Sequence, residues 1–335
     1  MKFPVLKILA CCVAVTCADA GSPRAEFGAQ FAAAEKAKAS VLAGSDGWLF
    51  LASELRMLSF DRFWGDAAAK ASRSPKPDTA DPIAAIVDFH TQLKARGIEL
   101  LLVPVPPKAA IYPEKLAGGA APDGALAPLT EFYAALKTAG VEVLDLAPIL
   151  LAGKTGEHGA VFCATDTHWS GSGCVLAAQA IARAIEGKIQ LKRTGAWTSE
   201  WKTIPIQGDL RDLPGGSKGG DEKVAVRTVS GVGGAAVAPD PGSQVLLIGD
   251  SHTLVFHDFL AERAGLLDQL AAEIGIAPDL IGTRGSGATA VRTALYRKSI
   301  KDPAYLTKKK IVVWCFTARE FTEAESGWQK LPVAK

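Results

Sequence analysis

The chain lacks a dominant charge. Its 335 residues carry 37 Lys and Arg against 35 Asp and Glu, a formal net charge of +2. Composition therefore makes no electrostatic case for nucleic acid or a strongly acidic polymer as partner. Beyond the first twenty residues no apolar run approaches the roughly 20 residues that a bilayer-spanning helix needs. No Cys/His pairs stand at the close spacing of a zinc site, and neither a metal nor a soluble cofactor is expected. The Gly-rich stretch at 282–287 has no Walker lysine, which weakens a nucleotide reading. There is no internal repeat and no coiled-coil pattern.

The first twenty residues read as a secretory signal. Lys2 and Lys7 are basic, residues 5–15 are apolar, and Ala18-Asp19-Ala20 fits a small-x-small cleavage site. Cleavage is expected; an uncleaved anchor and a lipoprotein at Cys11 are the alternatives. Removing this segment takes away Cys11, Cys12 and Cys17 and leaves Cys163, Cys174 and Cys315. In an oxidising compartment a disulfide is expected between Cys163 and Cys174. Cys315, inside an apolar run, is expected to be a buried thiol.

The chain is 48% hydrophobic over its full length, enough for a large core. Residues 21–43 predict a helix or linker, 47–51 a short strand and 66–80 a mobile loop. Asp81-Pro82 is a helix start. Ile83, Ile86, Val87, His90 and Leu93 then repeat at helical spacing until Gly97. Residues 98–105 form an apolar run suited to a buried parallel strand. A helix near 125–139, a strand at 141–144 and a helix at 170–186 follow. The stretch 195–243, rich in Gly, Trp and Pro, shows no period and predicts an insertion or long loops. Then come a strand at 245–248, helices near 252–263, 266–274 and 288–300, and a strand at 311–316. This alternation predicts a three-layer α/β/α sandwich with a largely parallel sheet, one catalytic domain over 44–325.

Two segments carry chemistry. Gly249-Asp250-Ser251 follows the apolar strand at 245–248, which sets a serine on a tight turn at the strand's carboxyl end. Asp166-Thr167-His168-Trp169 can supply a base and its orienting carboxylate from one loop. Together they predict Ser251 as nucleophile, His168 as general base and Asp166 as orienter. Asp250 is assigned to the turn, and His252 to the pocket lining. His90 is read as a core residue, and His158 and His257 as surface residues. Oxyanion donors are sought at the Ser251 amide and in the Gly-rich loop, at Gly285 and Gly287. Arg284 and Arg319 could each anchor substrate or brace a loop. Trp169, with Trp197 or Trp201, is a candidate wall for a dry, sugar-stacking cleft, or simply core.

These residues match a pattern. Gly44-Ser45-Asp46-Gly47-Trp48-Leu49-Phe50, Val105-Pro106-Pro107-Lys108, Thr165 to Trp169, Gly208-Asp209-Leu210, Gly249-Asp250-Ser251 and Val313-Trp314 with Arg319 lie in order along the chain. In them the chain resembles the alginate O-acetyltransferase proteins of the AlgJ and AlgX type, which carry a permuted SGNH-hydrolase-like domain. Asp-x-His stands before Gly-Asp-Ser here, the reverse of ordinary SGNH hydrolases. The resemblance implies a periplasmic enzyme that acetylates an exopolysaccharide, with a membrane-bound O-acyltransferase as upstream acetyl donor. Cys315 departs from it, since relatives often carry an acidic residue after the tryptophan. An acetylesterase with the same triad and a non-catalytic subunit of a secretion complex stay open at this stage.

Overall fold

The computed structural model describes residues 23–116 and 124–335. The expected signal segment and its three cysteines lie outside the described residues. In chain order the strands are β1 (Val41–Ala43), β2 (Leu49–Leu51), β3 (Glu99–Val105), β4 (Glu142–Val143), β5 (Thr198–Ile206), β6 (Glu222–Ser230), β7 (Val245–Gly249), β8 (Asp279–Gly282) and β9 (Ile311–Thr317).

Five of them form one parallel sheet in the order β4-β3-β9-β7-β8. Every residue of β7 and β9 is buried, and every residue of β3 after Glu99. A parallel strand covered on both faces has no polar side, so it must be apolar at every position. Helices provide that cover and give an α/β/α sandwich. All five strands run the same way. Their carboxyl ends therefore share one edge, and the segments that follow β3, β7, β8 and β9 meet there.

Local chemistry explains the covering helices. The Asp81 carboxylate caps the helix Pro82–Lys94 by accepting from the Ile83 amide at 3.0 Å. Its buried face is Pro82, Ala85, Ile86, Phe89 and Leu93. His90 sits beside that face, half-exposed, because Phe89 takes the inward position. Among the described residues, no helix is long and apolar enough to cross a membrane.

Three sequence expectations are corrected. The stretch 195–243 is not irregular: β5 and β6 make a nine-residue antiparallel ribbon from Thr198↔Ser230 to Ile206↔Glu222. Its period is faint because β5 buries only Ile206, while Val224, Val226 and Val229 of β6 face inward. No helix spans 252–263. A single turn at Ser251–Thr253 is followed by left-handed residues at Phe256, Leu260 and Arg263, with φ of 63°, 62° and 63°. A right-handed helix cannot pass through such positions. The expected loop at 66–80 carries short helical turns at Ala68–Ala71 and Pro77–Thr79 and buries Ala68, Ala71 and Ala80.

Candidate active site

The serine turn is built by a close approach and a cap. A Cβ on Gly249 would lie 1.8 Å from the Cys315 carbonyl oxygen, so only glycine lets the end of β7 pass β9 at this distance. Asp250 follows. Its Oδ1 accepts from the His252 amide at 2.9 Å and its Oδ2 from the Thr317 amide at 2.8 Å. The carboxylate thus ties the turn to the end of β9 and stays out of the proton relay. Burial pushes its pKa up, but the His252 contacts, the Thr317 amide and the Arg319 charge outweigh this and hold it at about 2.

That shift has a consequence for stability. A carboxyl depressed in the folded state contributes stability above its unfolded pKa of about 3.9, and this is lost as pH falls toward the folded value. The urea stability gap between wild type and Asp250→Asn should be widest above pH 4. It should shrink by about 2 kcal/mol by pH 2. A gap that stays constant between pH 5 and pH 2 would show that the ionised carboxylate does not matter.

The Asp-x-His loop meets this turn from the other side. His168 Nε2 lies 2.7 Å from Ser251 Oγ, and His168 Nδ1 lies 2.6 Å from Asp166 Oδ1. Asp166 Oδ1 also accepts from the His168 amide at 3.0 Å, and Oδ2 from the Asp209 amide at 2.9 Å. Burial again acts to raise the Asp166 carboxyl, but His168 and these two amides bring it down to about 2. Asp166 and His168 are buried, while Ser251 is half-exposed. A chain of carboxylate, imidazole and reachable hydroxyl results.

Gly208-Asp209 makes this possible. A Cβ on Gly208 would stand 2.0 Å from the Thr165 carbonyl oxygen. The Asp209 carboxylate accepts from the Thr167 amide at 2.8 Å and the Thr167 hydroxyl at 2.6 Å. Ligating atoms of Asp166, His168 and Asp209 lie within 4.8 Å of one another, close enough to hold a cation. Hydrogen bonds within the relay and to Thr167 already occupy them.

The remaining predicted residues divide. Arg284 is exposed and lays its guanidinium 4.1 Å over the Phe259 ring, which stands edge-on to His168 at 5.5 Å. Gly285 and Arg319 line a cavity of about 560 Å³ with Ser53, Ser286, Glu320 and Ser326. Arg319 is braced within the fold, 3.0 Å from Thr317 Oγ1 and 3.5 Å from Glu54 Oε1. Gly287 is not placed as an oxyanion donor: its amide serves the Glu320 carboxylate, and its α-carbon is packed against Phe316 and Asp250. Burial, then the Asp250 charge, lifts that Glu320 carboxyl to about 7.

Trp169 is core, not a cleft wall. It is fully buried, edge-on to His252 at 5.2 Å. Trp201 stacks on His158 at 3.7 Å, and Trp197 lies against Gly195 and Gly231. His252 is buried with its ring 4.9 Å from that of His168. The half-buried His257 pairs with Asp268 at 2.9 Å.

The expected Cys163–Cys174 disulfide is absent; both thiols are free and buried. The reason is their surroundings. Cys163 faces the loop, donating to the Trp169 carbonyl at 3.5 Å with Lys108, Glu222 and Asp209 nearby. Cys174, on the helix Gly171–Glu186, has Asp268 and Arg227 as its charged neighbours. Burial raises the pKa of both thiols, as it does for Cys315. Sequence reasoning gave no role to Lys108, Asp209, Glu222 or Phe259. The one available signal was a lysine placed directly after a buried strand and two prolines.

Residues 41–280 match the model of the SGNH hydrolase-like domain, acetyltransferase AlgX family. The chain belongs to that family. It is 34% identical to the probable alginate O-acetylase AlgJ of Pseudomonas syringae pv. tomato over 173 residues, covering 51% of this chain and 40% of that protein. With the probable alginate O-acetylase AlgJ of Pseudomonas fluorescens it shares 36% identity over 131 residues, 38% of this chain and 33% of that one. The match thus spans less than half the length of these relatives. The O-acetyltransferase domain of Pseudomonas putida AlgJ superposes with a TM-score of 0.63 at 24% identity, covering 84% of this chain and 92% of that one. Pseudomonas aeruginosa AlgX gives 0.59 at 18% identity, with 83% and 61% covered. These two likenesses establish the fold. In this AlgX-family domain Asp166 and His168 precede β7 and Ser251 follows it, so the relay closes across the carboxyl edge of the sheet.

Proposed function

We propose that the chain is an exported serine O-acetyltransferase that moves acetyl groups onto hydroxyls of an exopolysaccharide. The observation that carries this reading is the unbroken relay from Asp166 through His168 to Ser251, with contacts of 2.6 and 2.7 Å. His168 takes the Ser251 proton as Oγ attacks the acetyl carbonyl of the donor. The tetrahedral intermediate expels the donor's leaving oxygen, which takes the proton back from His168, and acetyl-Ser251 remains. A sugar hydroxyl then gives its proton to His168 and attacks the acetyl-enzyme. Collapse returns the proton to Ser251 and releases the acetylated sugar.

The Ser251 amide, at the start of the turn, is the proposed oxyanion donor. Arg284 over Phe259 borders the relay and would face substrate. The polar cavity that Gly285 and Arg319 line offers room for part of an acceptor. Family membership supports acetyl transfer, and the names of the AlgJ relatives support a polysaccharide acceptor. A membrane-bound O-acyltransferase is the proposed source of acetyl groups outside the cytoplasm, with the segment at 1–20 directing export. The complete relay favours a catalytic role over a non-catalytic subunit.

Acetyl partition tests the proposal. The protein is incubated with an activated acetyl ester and candidate glycans, including the producing cell's own polymer. The correct glycan should speed ester consumption and divert acetyl from free acetate to sugar. If no glycan alters the yield of free acetate, the enzyme is an esterase that uses water as its acceptor.

A further inference from the structure

The backbone of residues 163–168 is gripped by charge from two sides. On one side, the Lys108 ammonium donates to the carbonyls of Cys163 at 3.0 Å, Ala164 at 3.3 Å and Asp166 at 2.8 Å. Three acceptors use all three protons of an ammonium, and a neutral amine has only two to give. Lys108 is 1% exposed and has the Phe50 ring 5.4 Å from Nζ. On the other side is Glu222, the first residue of β6. Its Oε1 accepts from the Ala164 amide at 2.7 Å; its Oε2 accepts from the Thr165 amide at 2.8 Å and the Thr165 hydroxyl at 2.7 Å. Backbone groups of one short loop thus face a cation on their carbonyl side and an anion on their amide side.

Such a grip is costly to build. Burial of the ammonium works against its charge, with Glu54 first among the charges that offset this. A charged pair on either side of the loop fixes its position along one axis and leaves little slack in where His168 points.

We propose that Lys108 and Glu222 are positioning residues that hold Asp166 and His168 in register with Ser251. Neither touches the reacting atoms; both act through the loop. The proposal rests on the triad reading above. The charged and titratable groups around the loop are Lys108 and Glu54 on one side and Glu222 and Asp209 on the other. From the serine turn and beyond β9 come Asp250, His252 and Arg319.

The two residues should leave opposite marks on the pH profile. A base works only while unprotonated. A nearby cation disfavours its protonated form and a nearby anion favours it. The test uses the full chain, an activated acetyl ester and the variants Lys108→Met and Glu222→Gln, with active serines counted by a serine-directed phosphonate. Each variant should lower kcat per titrated serine by about 10- to 100-fold, because small misplacements of a catalytic group cost on this scale. KM for the small ester should stay within about threefold. The acid limb of the kcat profile should move up in pH for Lys108→Met and down for Glu222→Gln, each by about half a unit.

A merely structural role would reduce the count of active serines and leave kcat per serine and both limbs in place; that result overturns the proposal. If Lys108→Met does not fold, the half-buried Glu222→Gln carries the test alone by the same criteria. Ser251→Ala is run alongside. Wild-type turnover in that variant would refute the triad reading, whereas a dead Ser251→Ala beside unaffected Lys108 and Glu222 variants would refute only the positioning roles.

Discussion

Ser251→Ala is expected to lower turnover of an activated acetyl ester by about 10⁴-fold or more, with the fold intact. The side chain is half-exposed and its hydroxyl bonds His168, so the change removes the attacking oxygen and little packing. The turn survives, because Asp250 supplies its cap to the His252 amide and its tie to Thr317. The unfolding transition should therefore lie close to that of wild type. Retention of acetyl on the protein after brief exposure to the ester, seen by mass as a single added acetyl group in wild type and none in the variant, is the direct readout. Turnover within tenfold of wild type would move the nucleophile elsewhere.

Asp166→Asn should cost about 10³- to 10⁴-fold in kcat. The carboxylate accepts on both oxygens: His168 Nδ1 and the His168 amide at Oδ1, and the Asp209 amide at Oδ2. An asparagine has one acceptor and one donor. With its oxygen toward His168, its NH₂ meets the Asp209 amide head-on, two donors facing each other. With its NH₂ toward His168, the ring must accept at Nδ1 and carry its proton at Nε2, where it cannot take one from Ser251. Either orientation breaks something, and the second disables the base. An imidazole NMR spectrum of the variant that shows the Nε2–H tautomer would match the second arrangement. A variant within tenfold of wild-type kcat would mean that the orienting carboxylate is dispensable.

The parts of this site that were legible in sequence are those encoded by neighbours. Ser251 follows an apolar strand and a Gly-Asp turn, and Asp166 sits two residues from His168, so short windows hold the information. Strands β3, β7 and β9 were readable for a similar reason, since burial on both faces demands unbroken apolar runs. The supports were not readable. Lys108 and Glu222 stand 55 or more residues from the carbonyls and amides that they hold, and apart from the strand and two prolines before Lys108 no local window sets them off from surface charges. Asp209 acts partly through its backbone amide, which has no sequence signature. The expected disulfide is not formed, and Cys163 gives its thiol to the Trp169 carbonyl, a partner that cysteine spacing does not reveal. The helix expected after Ser251 failed because apolar composition does not reveal left-handed backbone at Phe256, Leu260 and Arg263. Trp169 shows the remaining ambiguity: an aromatic beside a candidate catalytic histidine reads equally as cleft or core, and here it is core.

The place of β9 has a consequence for how the protein comes into being. It is the last strand in the chain and the middle one of the sheet, pairing residue 99 with residue 311 on one flank and residue 245 with residue 311 on the other. Strands β3 and β7 do not pair with each other, so two half-sheets, β4-β3 and β7-β8, wait for the same late insertion. Contacts so distant along the chain slow folding, and strand edges left open meanwhile invite association with other chains. The serine turn is also unfinished until then, because Asp250 finds its Thr317 amide only when β9 arrives. The serine turn therefore takes its final form only after residues 311–317 have been made and have entered the sheet.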